Sequence, residues 1–487
     1  MSPTTLGNRS RLAILSLAAA AFAAAGCGNG SISTATTTNS STPTGPAFLV
    51  GTDAPLASVV SFQVTLSDVE LTGSSGSTKS LVTGTPTIDF ARYNGLQTLV
   101  DMNDVPTGSY TGITFVLGSG TVSYLNTSGS GAPTISSVPA AFSSSTITVN
   151  FANPITIGTS TPPVGVRLDF DLSKSIATDS SGQIVLNSSG DAEVTPTLDI
   201  TTVAIGDANA HIDELVGSVV TAPTNSTEPS SFTIQGPHGE NFTINTTSST
   251  EWDGGATLSQ LISDGSSAVV AVAGKLDSAD QTLDADEIAI ITDSKFYARG
   301  LVTYVTPASG QATAMDFYVR AVEPSSTYVP LGGLADVSIT GNENYGIYGM
   351  HNAFTNFLFN ADALTPGQEI AVGGPDPTSS PIDVKRIHLQ NWGYNGTIVA
   401  SSQNSSQGTF QMQITGFPGT VVSNPVTVYL GPNCDFRYGL GAFSDLSNAT
   451  SIRVVGLLLK NPTNGQLVLL ARHVDGFNFT DFTTFAF

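Results

Sequence analysis

The chain has 487 residues and a mass of 50.0 kDa, enough for about three or four domains. Only 11% of its residues are charged, and 38 acidic residues against 16 basic ones give a formal net charge of -22 at pH 7. This balance excludes nucleic-acid binding and a polybasic membrane patch, because both depend on lysine and arginine to neutralise phosphate groups. The 40% hydrophobic content supplies apolar material for several cores.

The first 27 residues have the pattern of a lipoprotein signal peptide. Arg9 and Arg11 precede an apolar stretch of about 14 residues, which is too short to cross a bilayer as a resident helix. The stretch ends in Ala24-Ala25-Gly26-Cys27, which resembles the lipobox of bacterial lipoproteins, although that motif more often has Leu where Ala24 stands. The resemblance implies cleavage before Cys27 and anchoring through acyl chains on this residue. An ordinary secretory signal is the alternative.

Residues 27–46 are predicted to be a flexible tether that follows a signal peptide of residues 1–26. The tether has no charged side chain and almost no large apolar one, so it cannot bury enough surface to offset the entropy of ordering. Gly28 stands where enterobacterial lipoproteins retained at the inner membrane have Asp. The resemblance therefore implies an exported protein that is anchored at the outer membrane or the cell surface.

Apolar and polar residues alternate with a period of two in the next region, residues 47–205. Phe62, Val64 and Leu66 alternate with polar residues, and the apolar phase then shifts to Val69, which predicts a β-bulge between them. No long amphipathic helix is predicted after the tether. Short strands separated by Gly and Pro turns indicate an all-β fold that begins with a β-sandwich.

Several short elements of this region resemble, in the same order, the DUF4382 domain of bacterial lipoproteins. They are Phe48-Leu-Val-Gly-Thr-Asp53-Ala-Pro55, Ser67-Asp68-Val-Glu70-Leu71, Thr87-Ile-Asp89-Phe90 and Pro106-Thr-Gly-Ser-Tyr110. The resemblance covers residues 47–205 and implies an exported sandwich of immunoglobulin or prealbumin type. That family has no established activity, so the resemblance supplies no catalytic residue.

The remaining chain aligns with itself as three units. We call them module 1 (212–292), module 2 (297–390) and module 3 (392–487). Their opening glycines, Gly217, Gly300 and Gly396, are 83 (300 − 217) and 96 (396 − 300) residues apart. The order G-x-V, F-x-V, V-x-V-x-G and A-x-x-I resembles the DUF5666 family of small exported β modules. It implies three small β-barrel-like modules, with an OB-like barrel as the expected type.

Local motifs for catalysis are not found in the sequence. The five histidines are isolated, and no H-E-x-x-H, C-x-x-C, G-x-S-x-G or phosphate-binding loop is present. A catalytic triad can assemble from distant residues, so a hydrolase of extracellular polymers remains an alternative. Its candidate carboxylates are Asp169 and Asp171, about 7 Å apart on one strand face. A strand with Phe170 inward and both acids in water is the favoured interpretation.

Four acidic residues at the end of module 1 are the candidate metal ligands. They are Asp277, Asp280, Asp284 and Asp286. Their carboxylates could bind Ca²⁺, although they lack the ordered spacing of an EF-hand loop. Solvated acids in a turn between two strands are the favoured interpretation, and no other cofactor is predicted.

Aromatic residues of modules 2 and 3 are the candidate ligand-binding residues. They are Tyr345, Tyr348, Trp392 and Tyr394. Because aromatic faces stack on sugar rings, this group would fit a carbohydrate-binding platform. A module core and a domain interface are the favoured alternative use of the same side chains.

Together these features predict a lipid-anchored all-β protein of the cell envelope without catalytic activity. Its expected role is binding or scaffolding, with surface polysaccharide as the first ligand class and another envelope protein as the second. A polymer hydrolase and a plain surface spacer or adhesion protein are the alternatives.

Overall fold

Strands make up nearly all of the regular structure, which confirms the all-β prediction. The computed structural model describes residues 43–476, so Cys27 and most of the tether lie outside the described residues. The gaps within this range are 55, 57–58, 83, 94–97, 127–133, 160–163, 179–183, 205–210, 237–240, 254–255, 278–281, 293–295, 308–309, 349–356, 416–421, 423, 438–439, 450 and 462–463. The described residues belong to one compact unit. None of their helices is long and apolar enough to span a membrane.

The N-terminal domain is a sandwich of two sheets. The first sheet contains, in spatial order, β11 (Leu198–Ala204), β9 (Val164–Asp171), β1 (Thr44–Ala54) and β5 (Thr98–Pro106). The second contains β10 (Ala192–Val194), β7 (Thr134–Phe142), β6 (Gly108–Asn126), β2 (Val59–Gly73) and β3 (Thr78–Ser80), with β4 (Thr87–Asp89) beside β2 and β8 (Thr146–Ile157) beside β6. A single helical turn, α1 (Leu172–Ser175), follows β9.

The alternation predicted for β2 is confirmed. Phe62 and Leu66 are fully buried, the register with β6 shifts between Leu66 and Asp68, and Val69 then returns to the core. The rings of Phe62 and of Phe170, which lies in the other sheet, pack in an edge-to-face arrangement with their centroids 5.0 Å apart. The bulge therefore keeps apolar side chains on the inner face on both sides of the phase shift.

Module 1 is a small closed barrel of five strands with a helix between two of them. The barrel strands are, in spatial order, β14 (Asn241–Thr246), β13 (Ser230–Gln235), β12 (His211–Thr221), β16 (Val269–Asp277) and β17 (Thr282–Thr292). Parallel pairing of Ile244 with Leu283 closes the barrel. The short β15 (Glu251–Trp252) pairs with β17, and α2 (Leu258–Asp264) follows it in the chain.

Module 2 is a seven-stranded sheet rather than a closed barrel among its described strands. The strands are, in spatial order, β21 (Asn344–Ile347), β24 (Arg386–Gln390), β22 (Glu369–Gly374), β18 (Phe296–Thr306), β19 (Ala314–Glu323), β20 (Leu334–Ser338) and β23 (Ile382–Asp383). Its two edges are the short strands β21 and β23, and each pairs with one neighbour only. Only two residues separate β23 from β24, so one segment of the chain contributes to both ends of the sheet, beside β20 and beside β22.

Module 3 is the second closed barrel. Its strands follow the order β25 (Trp392–Ile398), β26 (Thr409–Ile414), β27 (Val426–Arg437), β29 (Leu467–Gly476) and β28 (Ile452–Lys460). The strands that close the barrel, β25 and β28, pair from Trp392 with Gly456 to Gly396 with Ile452.

The hydrophobic cores of the four domains run into one another. Phe48 and Leu99 of the sandwich pack in the core of module 1, while Val60 of the sandwich packs with the core of module 3. Leu457 and Leu459 of module 3 pack in the core of module 2. The boundaries between the domains are therefore part of the folded core, and they position the charged groups described next.

Candidate functional site

Three of the four candidate aromatic residues are buried. Tyr348 and Tyr394 are each 1% exposed and Trp392 is 3% exposed, while Tyr345 is half-buried against Phe359. A sugar needs an open ring face to stack on. The three buried rings therefore present no such face, and the platform predicted from this group is not formed by them.

These buried side chains join the modules instead. The Tyr348 hydroxyl of module 2 donates to the carbonyl oxygen of Asp213 in module 1 at 3.4 Å. The Tyr394 hydroxyl of module 3 donates to the carbonyl oxygen of Gly367 in module 2 at 2.9 Å. Burial raises the pKa of both tyrosines well above the ordinary value, so both remain hydrogen-bond donors.

The described members of the candidate calcium cluster have protein partners. Asp284 accepts a hydrogen bond from the Asn245 amide at 3.0 Å, and Asp286 lies 3.2 Å from the His211 ring and 3.7 Å from the Lys275 ammonium. The Asp277 side chain and the whole of Asp280 lie outside the described residues. Among the described residues, no group of three or more His, Cys, Asp or Glu side chains is arranged to hold a metal ion.

The candidate hydrolytic carboxylates are buried, and the expectation that both face water is wrong. Arg167 pairs with Asp169 at 3.4 Å, and Lys174 pairs with Asp171 at 2.8 Å. Asp171 also accepts a hydrogen bond from the backbone N–H of Lys174 at the start of α1. Phe170 is fully buried between them, as predicted. Each acid is therefore engaged by a cation from its own strand or from α1.

The most unusual chemistry of the described chain is a buried ionic network at the meeting point of the four domains, which we call the arginine junction. Its central residue is Glu369, which is 0% exposed and lies on β22. Arg299 donates from Nε to Glu369 Oε1 at 2.9 Å and pairs through Nη1 with Glu214 of module 1. Arg320 Nη1 lies 3.5 Å from Glu369 Oε2. Glu369 thus pairs with both buried guanidinium groups, and Glu214 supplies a second carboxylate to Arg299.

Arg320 extends the junction to the other two domains. Its Nη1 donates to the carbonyl oxygen of Ala91 in the sandwich at 3.2 Å. Its guanidinium carbon lies 4.0 Å from the ring centroid of Trp392 in module 3, a cation–π geometry. The candidate sugar-stacking tryptophan is therefore occupied by an arginine of the same chain.

A bulge opposite Gly300 turns Arg320 towards the junction. Arg299 pairs with Ala321 and Gly300 pairs with Val319, which leaves Arg320 as the extra residue of β19. A side chain at Gly300 would overlap a carbonyl oxygen of β19, so the glycine permits the close approach of the strands that the bulge requires. The opening glycine of module 2 thereby contributes to the position of the cation.

A second ionic cluster joins modules 1 and 3. His211 Nδ1 lies 3.5 Å from Asp213, and Arg472 of module 3 lies 3.7 Å from Glu287 of module 1. Burial by itself raises the pKa of Asp213, but His211 and cations of module 3 outweigh burial and hold that pKa well below the ordinary value. Burial raises the pKa of Asp475, in the same cluster, to about 6.

The described arginines avoid the surface, both in these two clusters and outside them. All eight arginines of the described residues are buried or half-buried, although arginine is mostly an exposed residue in proteins; they are Arg92, Arg167, Arg299, Arg320, Arg386, Arg437, Arg453 and Arg472. Burial lowers the pKa of Arg299 to about 10, which still leaves it charged at neutral pH. The described surface is therefore dominated by acidic groups.

Comparison with known proteins supports the N-terminal assignment. Residues 48–188 match the family model described as a domain of unknown function, DUF4382. The match confirms the resemblance. A solved structure, Drosophila Unr CSD456, aligns at 11% identity over 54% of this chain and 97% of its own length, with a TM-score of 0.14. The comparison with curated proteins found no match.

We predict that Glu369→Gln destabilises the protein by about 3–5 kcal/mol, because it leaves two buried arginines without their shared counter-charge. Urea unfolding would measure the loss. Lys275→Ala is the matched control, since it removes an ion pair of two exposed side chains and should lower the unfolding free energy by less than about 1 kcal/mol. A Glu369→Gln variant as stable as the control would contradict the role given to the junction.

Proposed function

We propose that the protein is a lipid-anchored cell-envelope protein with a non-catalytic role in binding or scaffolding. The observation that carries the proposal is the arginine junction, in which charges from different domains face one another in the interior. Buried ionic groups can specify one arrangement of the parts that they join. A fixed arrangement of four β domains suits a protein that holds binding surfaces in place.

The carboxylate chemistry favours this role over a hydrolase. A general acid or base must be able to exchange a proton with its substrate. Asp169 and Asp171 are both buried and both paired with cations. The alternative of a polymer hydrolase that uses these two residues therefore has no support in their surroundings.

Modules 1, 2 and 3 are proposed to be repeats of one DUF5666-like unit. Their opening glycines, Gly217, Gly300 and Gly396, share one steric situation, because a side chain at each would overlap a carbonyl oxygen of the neighbouring strand. The same requirement at the same place in three units supports a common origin. Module 2, in which β23 and β24 take the place of the single strand β17, would then be the divergent copy.

Polysaccharide remains the first ligand class to test, with another envelope protein as the second. The buried rings of Tyr348, Trp392 and Tyr394 do not supply the contact. Exposed aromatic side chains are available elsewhere on module 2, at Tyr304 (37% exposed) and Tyr328 (40% exposed). Ca²⁺ is kept as an additional partner to test, because Asp277, Asp280, Asp284 and Asp286 lie close together in the sequence.

The role can be tested by incubating the purified mature protein with a panel of polysaccharides, with and without Ca²⁺. We expect retention on the ligand polysaccharide without release of reducing ends. Release of reducing ends that is lost in Asp169→Asn would contradict a non-catalytic role. Retention on none of the polysaccharides would exclude this ligand class. Retention that a chelator abolishes would add Ca²⁺ as a partner.

The anchor is proposed from the lipobox and can be tested with the two cysteines of the chain. We expect Cys27→Ala to abolish incorporation of labelled palmitate and to move the protein from the membrane fraction to the soluble fraction. Cys434→Ala is the matched control. Burial raises the pKa of the Cys434 thiol to about 12, so this thiol stays protonated and unreactive, and the control variant should keep its label. Label that persists in Cys27→Ala would contradict the proposal.

A further inference from the structure

The outer face of the module 2 sheet is divided into a covered half and an open half. In the covered half, Tyr318 packs with Val60 and Leu125 of the sandwich, and Arg299 and Arg320 enter the arginine junction. The open half starts at Asp316, two residues before Tyr318 on strand β19. We call it the open patch, and its members are Tyr304, Asp316, Leu334 and Asp336.

Strand register places these four side chains side by side. Tyr304 of β18 pairs with Asp316 of β19, which pairs with Asp336 of β20, so the three lie in one row with neighbours about 4.8 Å apart. Leu334 precedes Asp336 by two residues and points to the same face. Tyr304 and Leu334 are each 37% exposed.

The two carboxylates of the open patch face each other without a cation. Like charges directly opposite each other on neighbouring strands destabilise a sheet. Partial burial, a hydrogen bond with the Asp336 carboxyl group and the charge of Asp336 together raise the pKa of Asp316 to about 7. Among the described residues, neither carboxylate has an ion-pair partner. Above about pH 7, where both carboxylates are ionised, a positively charged group from outside the chain would relieve this repulsion.

Exposed apolar side chains are concentrated around the same module. Of the seven large hydrophobic residues that are exposed in the described chain, five belong to module 2; they are Tyr304, Tyr328, Leu331, Leu334 and Leu358. Clusters of exposed apolar groups mark interaction surfaces more often than isolated ones do. Module 2 therefore differs from the other described domains in the number of exposed apolar side chains that it carries.

The covered half shows which chemistry suits this face. There, arginines pair with carboxylates and one of them stacks on an aromatic ring, at 4.0 Å from the Trp392 centroid. The open patch offers the same complement, two carboxylates and a tyrosine ring, but no arginine. Arginine fits this set because its planar guanidinium group can donate two parallel hydrogen bonds to a carboxylate and can stack on an aromatic face.

We propose that the open patch binds an arginine-containing basic segment of another envelope protein. The inference rests on the proposed binding role and names the chemistry of the partner. The open patch is continuous with an interface in which carboxylates and an aromatic ring contact arginines, and its charge is complementary to that of the segment. Because no described cation acts on Asp316, the ligand cation comes from outside the described chain.

Binding can be measured with the mature protein and a fluorescent, end-blocked hexapeptide of alternating arginine and glycine. We expect the double variant Asp316→Asn/Asp336→Asn to bind at least about tenfold more weakly, a loss of about 1.4 kcal/mol. Tyr304→Ala should also weaken binding. The matched control is Asp376→Asn/Glu323→Gln, which removes two exposed acids of the same module and should bind like the parent. A citrulline peptide of the same length should not bind.

Proton linkage gives a second readout. Because Asp316 is partly protonated below about pH 7, the peptide should bind more tightly as the pH rises from 5.5 to about 7.5 and level off above that. The Asp316→Asn/Asp336→Asn variant should show no such rise. Thermal unfolding of each variant would confirm that it is folded.

Several outcomes would overturn the proposal. They are absence of binding by the parent, an equal loss in the control double variant, and equal binding of the citrulline peptide. Polysaccharide retention that is lost in Asp316→Asn/Asp336→Asn would assign the open patch to a glycan instead. In that case the proposed binding role would survive while this inference failed, whereas hydrolysis of a polysaccharide would contradict the binding role itself.

Discussion

The pairing of Glu369 with Arg299 and Arg320 is the interaction on which the rest of the structure depends. A buried charge is tolerated only when its partners and hydrogen bonds are in place. Arg299 needs Glu214 of module 1 as well as Glu369, and Arg320 needs a carbonyl of the sandwich. Neither requirement can be met within module 2, so the junction is complete only when the domains are docked.

The same constraint explains the character of the surface. The chain has few cations, and its described arginines are buried or half-buried, which leaves mainly lysines and a large excess of acids on the surface. Such a surface favours solubility and repels other acidic macromolecules. It also attracts basic ones, and the open patch is where carboxylates, an aromatic ring and exposed apolar groups coincide.

Much of the fold was predictable because it follows from local patterns. The alternation through Phe62 and Leu66 indicated the inner face of β2, and the phase shift indicated its bulge. The seven-stranded sheet of module 2 was not predictable in the same way, because the segment that forms the single strand β17 in module 1 is divided here into β23 and β24. The self-alignment showed similar motifs in all three units but contained no information on whether the strands of each unit close into a barrel.

The site was far less predictable, since it is built from residues distant in sequence. Trp392 and Tyr348 have the composition of a sugar platform, and only the packing of neighbouring domains shows that their faces are covered. Glu214 and Arg299 are 85 residues apart. One signal was present in the sequence: Arg299 and Glu369 are charged residues within otherwise apolar strands, an arrangement that requires a buried partner.

The central claim is that the junction makes the four domains one cooperative unit. The chain has two tryptophans, so in a Trp252→Phe variant the fluorescence comes from Trp392 at the junction, while far-ultraviolet circular dichroism follows all of the β structure. Both signals should be recorded through urea unfolding. A single transition with coincident midpoints is the predicted result. A fluorescence change at lower urea than the loss of β structure would contradict the claim, because the domains would then separate before they unfold.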